Sequence, residues 1–246
     1  MNKTKAKKTI KFILIIIASI IVVFFVCAII FLLNYYHAGD RALEAMKSDD
    51  LVVVKEINSG YLFDGPGTEK AIIFYPGAKV EEEAYAPLLR KIAENDTDVF
   101  LVSMPFRLAV LGVNKADSIR DAYDYKEWYM AGHSMGGAMA AVYEAKHEAE
   151  YDGVILFAAF ATKKMSDSER LLSIYGSNDT VLDDKKYSEN KKNWPKESSE
   201  YVIQGGNHAQ FGDYGIQSGD GKALISASDQ QALAVDFILK TIHENE

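Results

Sequence analysis

Cysteine is almost absent from this chain of 246 residues, which contains a single one, Cys27. One thiol cannot close an intramolecular disulfide, so the stability of a folded domain must come from its hydrophobic core. A metal site built from several thiolates is excluded for the same reason. Internal repeats and low-complexity tracts are also missing, and apart from its N-terminal segment the chain has the length of one domain.

An excess of positive charge is missing as well. The sequence has 27 basic and 35 acidic residues, which gives a net charge of −8. Five of the lysines fall within residues 1–11, and without them 22 basic residues face 35 acidic ones, a net charge of −13. A surface this acidic argues against nucleic acid as a partner.

The N-terminal segment has a composition of its own. Residues 1–11 carry the five lysines, and residues 12–33 form an uncharged run dominated by Ile, Val, Phe and Leu. As a helix this run would be about 33 Å long, enough to cross the hydrocarbon core of a bilayer. It exceeds the roughly 7–15 apolar residues of a signal peptide, and no small-x-small cleavage site follows it. We therefore expect a retained transmembrane anchor over residues 12–33.

The charge around this run predicts its orientation. The lysine-rich residues 1–11 should stay in the cytoplasm, which makes the protein single-pass in the cell membrane with its folded domain extracellular. Residues 34–50 form a polar, partly helical connector that begins with an aromatic pair at interfacial depth. Residues 51–246 are the predicted folded domain.

Strand and helix patterns alternate along this domain. Two short β-rich segments, residues 51–57 and 61–63, indicate an antiparallel entry to a sheet. The later strands are predicted at residues 71–75, 99–103, 127–131, 153–158, 171–175 and 200–203, and the helices at residues 82–95, 116–125, 135–146, 184–192 and 229–243. Such alternation predicts an α/β fold, with a mostly parallel twisted sheet and helices on both faces.

A Gly-x-Ser-x-Gly motif, Gly132 to Gly136, lies where a strand pattern gives way to a helical pattern rich in Ala and Met. The tight turn between them forces Ser134 toward a positive φ angle, and the small flanking residues let the two backbones pass. The hydroxyl would then project from the carboxyl edge of the sheet at a helix N-terminus, where developing negative charge is favoured. This pattern is typical of a nucleophile elbow, although an ordinary glycine-rich turn would look similar.

A nucleophilic serine needs a base, and the base needs an acid that orients it. Asp179 is the candidate acid because it follows a buried strand and the Gly176 turn, although an Asx-turn or helix-cap aspartate would occupy the same position. Asp183 and Asp184 are the fallback acids, at positions typical of a helix cap.

His208 is the candidate base. It follows a strand and a glycine pair, and of the five histidines it alone combines a loop after a strand with a position beyond the acid. The order Ser134, Asp179, His208 is the order expected for a triad on this architecture. His133 is adjacent to the serine across the turn and is expected to form a pocket wall or to donate a supporting hydrogen bond.

Two backbone N–H groups would have to stabilise a developing oxyanion. One is expected from Met135, the residue after the nucleophile, and the other from the loop that begins at Pro76. Pro76 has no N–H and Gly77 allows a sharp turn, so Ala78 is the expected donor, with Lys79 as the alternative.

Taken in order, these motifs resemble the α/β-hydrolase superfamily, and more narrowly its small, cap-poor branch similar to dienelactone-hydrolase-like proteins and bacterial carboxylesterases. The matching segments are residues 74–78, 104–106, 132–137, 175–179 and 205–212. The resemblance implies the fold and a Ser-His-Asp triad. Dienelactone hydrolases use a cysteine nucleophile where this chain has Ser134, and many lipases carry His-Gly where this chain has Pro76-Gly77.

The connection between the strands that end near Phe160 and begin at Leu171 spans only about ten residues, so we expect a minimal cap and an open site. The predicted pocket walls are Lys79, His133, Met135, Phe211 and Tyr214. Such a pocket favours short acyl groups.

The expected function is that of a membrane-anchored serine hydrolase that cleaves a small ester substrate without a metal or other cofactor. Amide, peptide or thioester hydrolysis by the same triad is an alternative. A non-catalytic binding domain at the cell surface is another, and the sequence leaves the oligomeric state open.

Overall fold

The computed structural model describes residues 3–148 and 150–243. The chain divides into two compact units, Met1–Tyr35 and Tyr36–Glu246. Residues 1 and 2 of the predicted tail lie outside the described residues. The first unit is built on one helix, α1 (Lys3–Leu33). Its segment Ile10–Leu33 has a mean hydropathy of 3.5 and none of it is buried, so its length and composition suit either a membrane span or an N-terminal signal sequence.

The second unit is organised around an eight-stranded sheet. The strands are β1 (Val53–Ile57), β2 (Gly60–Asp64), β3 (Lys70–Tyr75), β4 (Thr97–Val102), β5 (Glu127–His133), β6 (Gly153–Phe157), β7 (Arg170–Gly176) and β8 (Glu197–Ile203). Their order in the sheet is β1-β2-β4-β3-β5-β6-β7-β8. The contacts of β2 with β1 and β4 are antiparallel, whereas every pairing from β4 to β8 is parallel. The predicted mostly parallel sheet with an antiparallel entry is therefore confirmed.

Helices cover both faces of this sheet. They are α2 (Asp40–Ala45), α3 (Ala86–Ala93), α4 (Asp117–Arg120), α5 (Met135–Glu144), α6 (Asp184–Asn190) and α7 (Ala227–His243). All six residues of β3 are buried, and their side chains alternate between two hydrophobic clusters. Ile72 and Phe74 join the cluster that contains residues of α3 and α7, while Ile73 and Tyr75 join the one that contains residues of α5. The sheet is thus a central layer between two cores.

The helix predicted over residues 116–125 is much shorter in the structure, where α4 covers only Asp117–Arg120. Aromatic packing accounts for the difference. The ring of Tyr123 lies 4.7 Å from that of Phe100, and the ring of Tyr125 lies 5.1 Å from that of Trp128. These long-range contacts draw the chain away from a helical path, and they cannot be read from local periodicity.

Residues 36–50, which precede the predicted start of the folded domain at residue 51, pack as part of the second unit. The amide of Tyr36 donates to the Lys79 carbonyl at 2.7 Å, and the Gly39 amide donates to the Asp213 carbonyl at 2.7 Å. The Asp213 carboxylate also accepts a bond from the amide of Ala42 at 3.0 Å. The segment predicted as a connector contains α2 and is bonded to the rest of the second unit.

Candidate active site

The carboxyl ends of the parallel strands carry most of the strained backbone in the second unit. Positive φ angles occur at Lys79 after β3, at Phe106 and Arg107 after β4, at Ser134 after β5 and at Ala158 after β6. Such conformations are costly for residues with side chains and persist where the surrounding structure enforces them, often at functional sites. The strained residues therefore indicate a candidate functional site at this edge of the sheet.

Ser134 occupies the turn between β5 and α5 with φ 53° and ψ −122°. Its amide donates to the Phe157 carbonyl at 2.9 Å, which ties the turn to the neighbouring strand β6. A Cβ atom added at Gly132 would lie 2.6 Å from the Gly136 backbone, and one added at Gly136 would lie 2.1 Å from the Tyr75 carbonyl oxygen. The two glycines of the motif are therefore required by the close approach of strand and helix.

Asp179 lies just beyond β7, and its two carboxylate oxygens have separate partners. Oδ1 accepts bonds from the amides of Val181 and Leu182, both at 2.8 Å. Oδ2 lies 2.8 Å from Nδ1 of His208. The local turn that the sequence suggested as an alternative is present, and it fixes the carboxylate in the orientation that meets the histidine.

His208 lies on the loop after β8, and its side chain is only 2% exposed. The amides of His208 and Ala209 donate to the Asp220 carboxylate at 3.2 and 2.9 Å, so a second acid holds the loop backbone. The Nε2 atom of His208 is buried and has no hydrogen-bond partner among the described residues. His208 and Ser134 line the same cavity. The imidazole is thus fixed through Nδ1, and its Nε2 is left unengaged beside the cavity.

The fallback acids have other contacts. Asp183 caps α6 by accepting the Lys186 amide at 3.0 Å, and that bond lowers the pKa of the exposed Asp183 carboxyl. Asp184 lies in the first turn of α6. Of the three candidate acids, the structure brings Asp179 to His208.

The two backbone groups considered for an oxyanion site differ in their availability. The amide of Lys79 donates to the Arg107 carbonyl at 2.9 Å and is therefore occupied. Among the described residues, no hydrogen bond engages the amide of Ala78 or that of Met135, the first residue of α5. This pattern favours Ala78 over Lys79.

A cavity of about 270 Å³ opens beside Ser134. It is mostly apolar, with one charged pair formed by Asp183 and Lys186, whose Oδ2 and Nζ atoms are 3.3 Å apart. Its lining comprises Ser134, Met135, Ala138, Ala158, Ala159, Phe160, Val181, Leu182, Asp183, Lys186 and His208.

Of the five predicted pocket walls, only Met135 lines this cavity. His133, Phe211 and Tyr214 are almost fully buried, and the ring centroids of His133 and Phe211 are 5.7 Å apart. Lys79 lies outside the lining. The reason is the sheet order, since the elbow strand β5 is followed by β6 and β7 and the cavity opens toward their loops. The sequence did not point to Phe160, Val181, Leu182 or Lys186, although the position of Val181 and Leu182 directly after Asp179 was an available signal.

His133 belongs to a buried polar chain beneath the site. Its Nδ1 atom lies 2.8 Å from the Tyr85 hydroxyl, and its Nε2 atom lies 3.1 Å from the His208 carbonyl oxygen. The Tyr85 hydroxyl also accepts the Gly77 amide at 3.1 Å. Burial lowers the pKa of His133 well below its ordinary value of 6.5, and the nearby His208 adds to that shift, so the ring is neutral near pH 7.

Comparisons with known proteins agree with this architecture. Solved structures similar to the chain include the following two. Est1E from Butyrivibrio proteoclasticus is 12% identical, and the match covers 79% of this chain and 100% of that one with a TM-score of 0.56. A predicted CIB-like hydrolase from Thermoplasma acidophilum is 17% identical, with coverage of 76% and 98% and a TM-score of 0.54. At such identities the likeness extends to the fold alone, and no curated protein matches the chain.

A sequence model of the alpha/beta hydrolase family matches residues 71–232, which is more than half of the chain. The matched segment runs from β3 to α7 and includes Ser134, Asp179 and His208. Fold, motif order and family model agree, and the chain therefore belongs to the alpha/beta hydrolase family.

Proposed function

We propose that this alpha/beta hydrolase is a serine esterase in which Ser134, His208 and Asp179 form the catalytic triad. The observation that carries the proposal is the buried 2.8 Å contact between His208 Nδ1 and Asp179 Oδ2, together with an unengaged Nε2 beside the cavity of Ser134. A histidine fixed through Nδ1 presents Nε2 as a base.

The chemistry follows from this arrangement. Nε2 of His208 accepts the proton of the Ser134 hydroxyl as Oγ attacks the carbonyl carbon of the ester. The imidazolium then returns that proton to the departing alcohol, which leaves an acyl group on Ser134. Water, deprotonated by the same nitrogen, then attacks the acyl carbon, and His208 passes that proton to Ser134 Oγ as the C–O bond breaks and the acid leaves. Asp179 keeps its charge throughout and stabilises the imidazolium.

The oxyanion would be stabilised by the amides of Ala78 and Met135. Met135 begins α5, so its N–H lies at the positive end of a helix of ten residues. Ala78 follows Gly77 in the loop after β3, the strand adjacent to the elbow strand. Donors fixed before the reaction stabilise the negative charge without reorganising, and loss of one such donor typically costs about 10²- to 10³-fold in rate.

The cavity supports a small acyl substrate. Residues 158–169, which join β6 to β7, contain no helix or strand, so they supply little of the protein that a long acyl tunnel would need. Phe160, Val181 and Leu182 form apolar walls, and an acyl chain of a few carbons would bury itself against them.

We also infer that α1 holds the enzyme in the cell membrane with residues 1–11 in the cytoplasm and the catalytic domain outside. The lysines before the apolar run and the length of that run support this topology. Protease added to intact cells should digest the domain and spare the tail. Release of the whole domain into the medium would instead indicate a cleaved signal, and protection until lysis would reverse the orientation.

Reaction with a fluorophosphonate probe tests the triad without knowledge of the substrate. The wild-type protein should be labelled, and mass spectrometry should locate the adduct on Ser134. Ser134→Ala should abolish labelling, as should heat denaturation before the probe is added. A folded wild-type protein that does not react would reject the serine hydrolase proposal and favour a binding domain.

A further inference from the structure

The buried side chains of Tyr85 and His133 connect three loops that the proposed mechanism treats separately. Gly77 lies in the loop after β3 that contains the proposed donor Ala78, here called the oxyanion loop. His133 ends the strand β5, and His208 lies on the loop after β8, the His208 loop. The hydrogen bonds run from the Gly77 amide to the Tyr85 hydroxyl, on to His133 Nδ1, and from His133 Nε2 to the His208 carbonyl, with lengths of 3.1, 2.8 and 3.1 Å.

The donor and acceptor chemistry of these groups fixes the direction of each hydrogen bond. A carbonyl oxygen can only accept, so His133 Nε2 must carry the proton that bonds to the oxygen of His208. A neutral imidazole then has an acceptor at Nδ1, and the hydroxyl of Tyr85 donates to it. The same hydroxyl oxygen keeps a lone pair for the amide of Gly77. In this arrangement the Gly77 amide, the Tyr85 hydroxyl, both ring nitrogens of His133 and the His208 carbonyl all have hydrogen-bond partners. A protonated His133 would leave the Tyr85 hydroxyl without an acceptor.

Packing leaves these groups little freedom. Tyr85 and His133 are 0% and 1% exposed, and the ring centroids of His133 and His208 are 4.5 Å apart. A Cβ atom added at Gly77 would lie 2.7 Å from the Tyr85 hydroxyl oxygen and 2.9 Å from His133 Nδ1. The oxyanion loop therefore approaches the pair as closely as a glycine allows.

We propose that Tyr85 and His133 are positioning residues that fix the oxyanion loop and the His208 loop relative to Ser134. This inference rests on the proposed function, because it assigns the pair to that same triad and oxyanion site. Neither residue lines the substrate cavity, so they act through the backbone of Gly77 and His208. Their loss should slow the attack of Ser134 more than it weakens substrate binding.

Tyr75 provides a matched control. Its hydroxyl is also buried, donates to the Val113 carbonyl at 2.6 Å and accepts the Ala116 amide at 3.1 Å. Its ring joins the core on the opposite face of the sheet from Tyr85. Tyr85→Phe and Tyr75→Phe therefore remove the same kind of hydroxyl from two different networks, and their general cost to folding should be similar.

The experiment measures the second-order rate of fluorophosphonate labelling with the full-length protein in detergent. Tyr85→Phe should label about 10- to 100-fold more slowly than wild type, because small displacements of reacting groups have costs of this size. Tyr75→Phe should label at the wild-type rate. His133→Asn should be as slow as Tyr85→Phe, because its short side chain cannot carry a donor to the His208 carbonyl, and the double variant should be no slower than either. His133→Gln should recover part of the rate, because its amide nitrogen can reach the position of Nε2 and donate to that carbonyl.

A labelling rate for Tyr85→Phe equal to that of Tyr75→Phe would overturn the proposal, and so would additive losses in the double variant. Side-chain ¹⁵N shifts of wild-type His133 give an answer that does not depend on variants. They should report a neutral ring with the proton on Nε2 from pH 6 to 8. A proton on Nδ1 would contradict the hydrogen-bond network through Tyr85 and His133. If wild-type protein does not label at all, the proposed function fails, whereas these shifts still test the network.

Discussion

Helix α5 has a buried pair of ionisable groups near each of its ends, and the two pairs have opposite character. At its N-terminus, Ser134 shares a cavity with His208, which is bonded to Asp179. At its C-terminus, Glu144 is 0% exposed and lies beside Glu169, which is 1% exposed. One pair joins an acid to a base, whereas the other joins two acids.

The two pairs differ in the kind of partner that each buried carboxyl has. Nδ1 of His208 lies 2.8 Å from Oδ2 of Asp179, so that buried carboxylate has a hydrogen-bonding partner. Two buried carboxyls cannot compensate each other. Burial and the neighbouring Glu169 raise the pKa of Glu144 to about 9, so this group retains its proton at neutral pH. The first pair suits the proposed chemistry, and the second makes stability depend on pH.

The largest effect is expected from a substitution that breaks the pair of Asp179 and His208. Asp179→Asn should keep the turn bonds through its side-chain oxygen but favour the wrong tautomer of His208. Turnover should fall by about 10⁴-fold, the loss known for this change in a serine protease. Ester hydrolysis and thermal unfolding, measured on the same preparations, should show a folded but slow enzyme.

Asp183→Asn is the matched control, since Asp183 caps α6 and lies only four residues away. Asp183 also lines the cavity, so this variant can change KM, but its kcat should stay close to that of wild type. A strong loss in Asp183→Asn together with normal turnover in Asp179→Asn would show that the acid is assigned to the wrong residue.

A smaller effect is expected at the other end of α5. The unfolded chain loses the Glu144 proton near its ordinary pKa of 4.5, whereas the folded protein keeps it up to about pH 9. Folding therefore takes up a proton within this window, and stability should fall as the pH rises through it, by at most about 1.4 kcal/mol per pH unit. Glu144→Gln replaces the neutral carboxyl with a neutral amide and should flatten this fall without changing turnover.

The measurement is the free energy of unfolding at several pH values from 6 to 9. Glu189→Gln, at an exposed position on α6, is the control and should give a curve parallel to that of wild type. If the Glu144→Gln curve were also parallel, Glu144 would be ionised in the folded protein, and the contrast between the two ends of α5 would disappear.

Local patterns were sufficient to propose the groups at the Ser134 end of α5. The glycines around Ser134 reflect a tight turn, and Asp179 follows directly after a strand, so both signals lie within a few residues of the groups concerned. The sheet and its mostly parallel order followed from alternating periodicity. Those features depend on neighbours in sequence.

The features that the sequence did not reveal depend on distant neighbours. Glu144 and Glu169 are 25 positions apart, and Tyr85 meets His133 across 48 positions. The direction in which the cavity beside Ser134 opens depends on which strands flank β5, and local patterns do not reveal that order. The bonds of residues 36–50 to Asp213 and Lys79 are likewise invisible in a polar local composition.

The smallest expected effect concerns the acyl group that the catalytic end of α5 accepts. Each buried methylene contributes about 0.8 kcal/mol, so a pocket that holds the growing chain should gain roughly fourfold in kcat/KM per carbon. The cavity of about 270 Å³ beside Ser134 should allow this gain for only a few carbons. Acetyl to butyryl esters should therefore exceed octanoyl and longer ones, and Ser134→Ala should hydrolyse none of them.

A bilayer could extend the apolar surface around the cavity, so the series should be run with full-length protein both in detergent and in lipid vesicles. Phe160→Ala removes a large wall residue and should move the preference toward longer chains, whereas Leu51→Ala changes an exposed residue just before β1 and should leave it unchanged. A steady rise in kcat/KM up to dodecanoyl esters in both preparations would contradict the short-acyl proposal. The apolar walls would then have to continue well beyond Phe160 and Val181, and a lipase would become the better description of the enzyme.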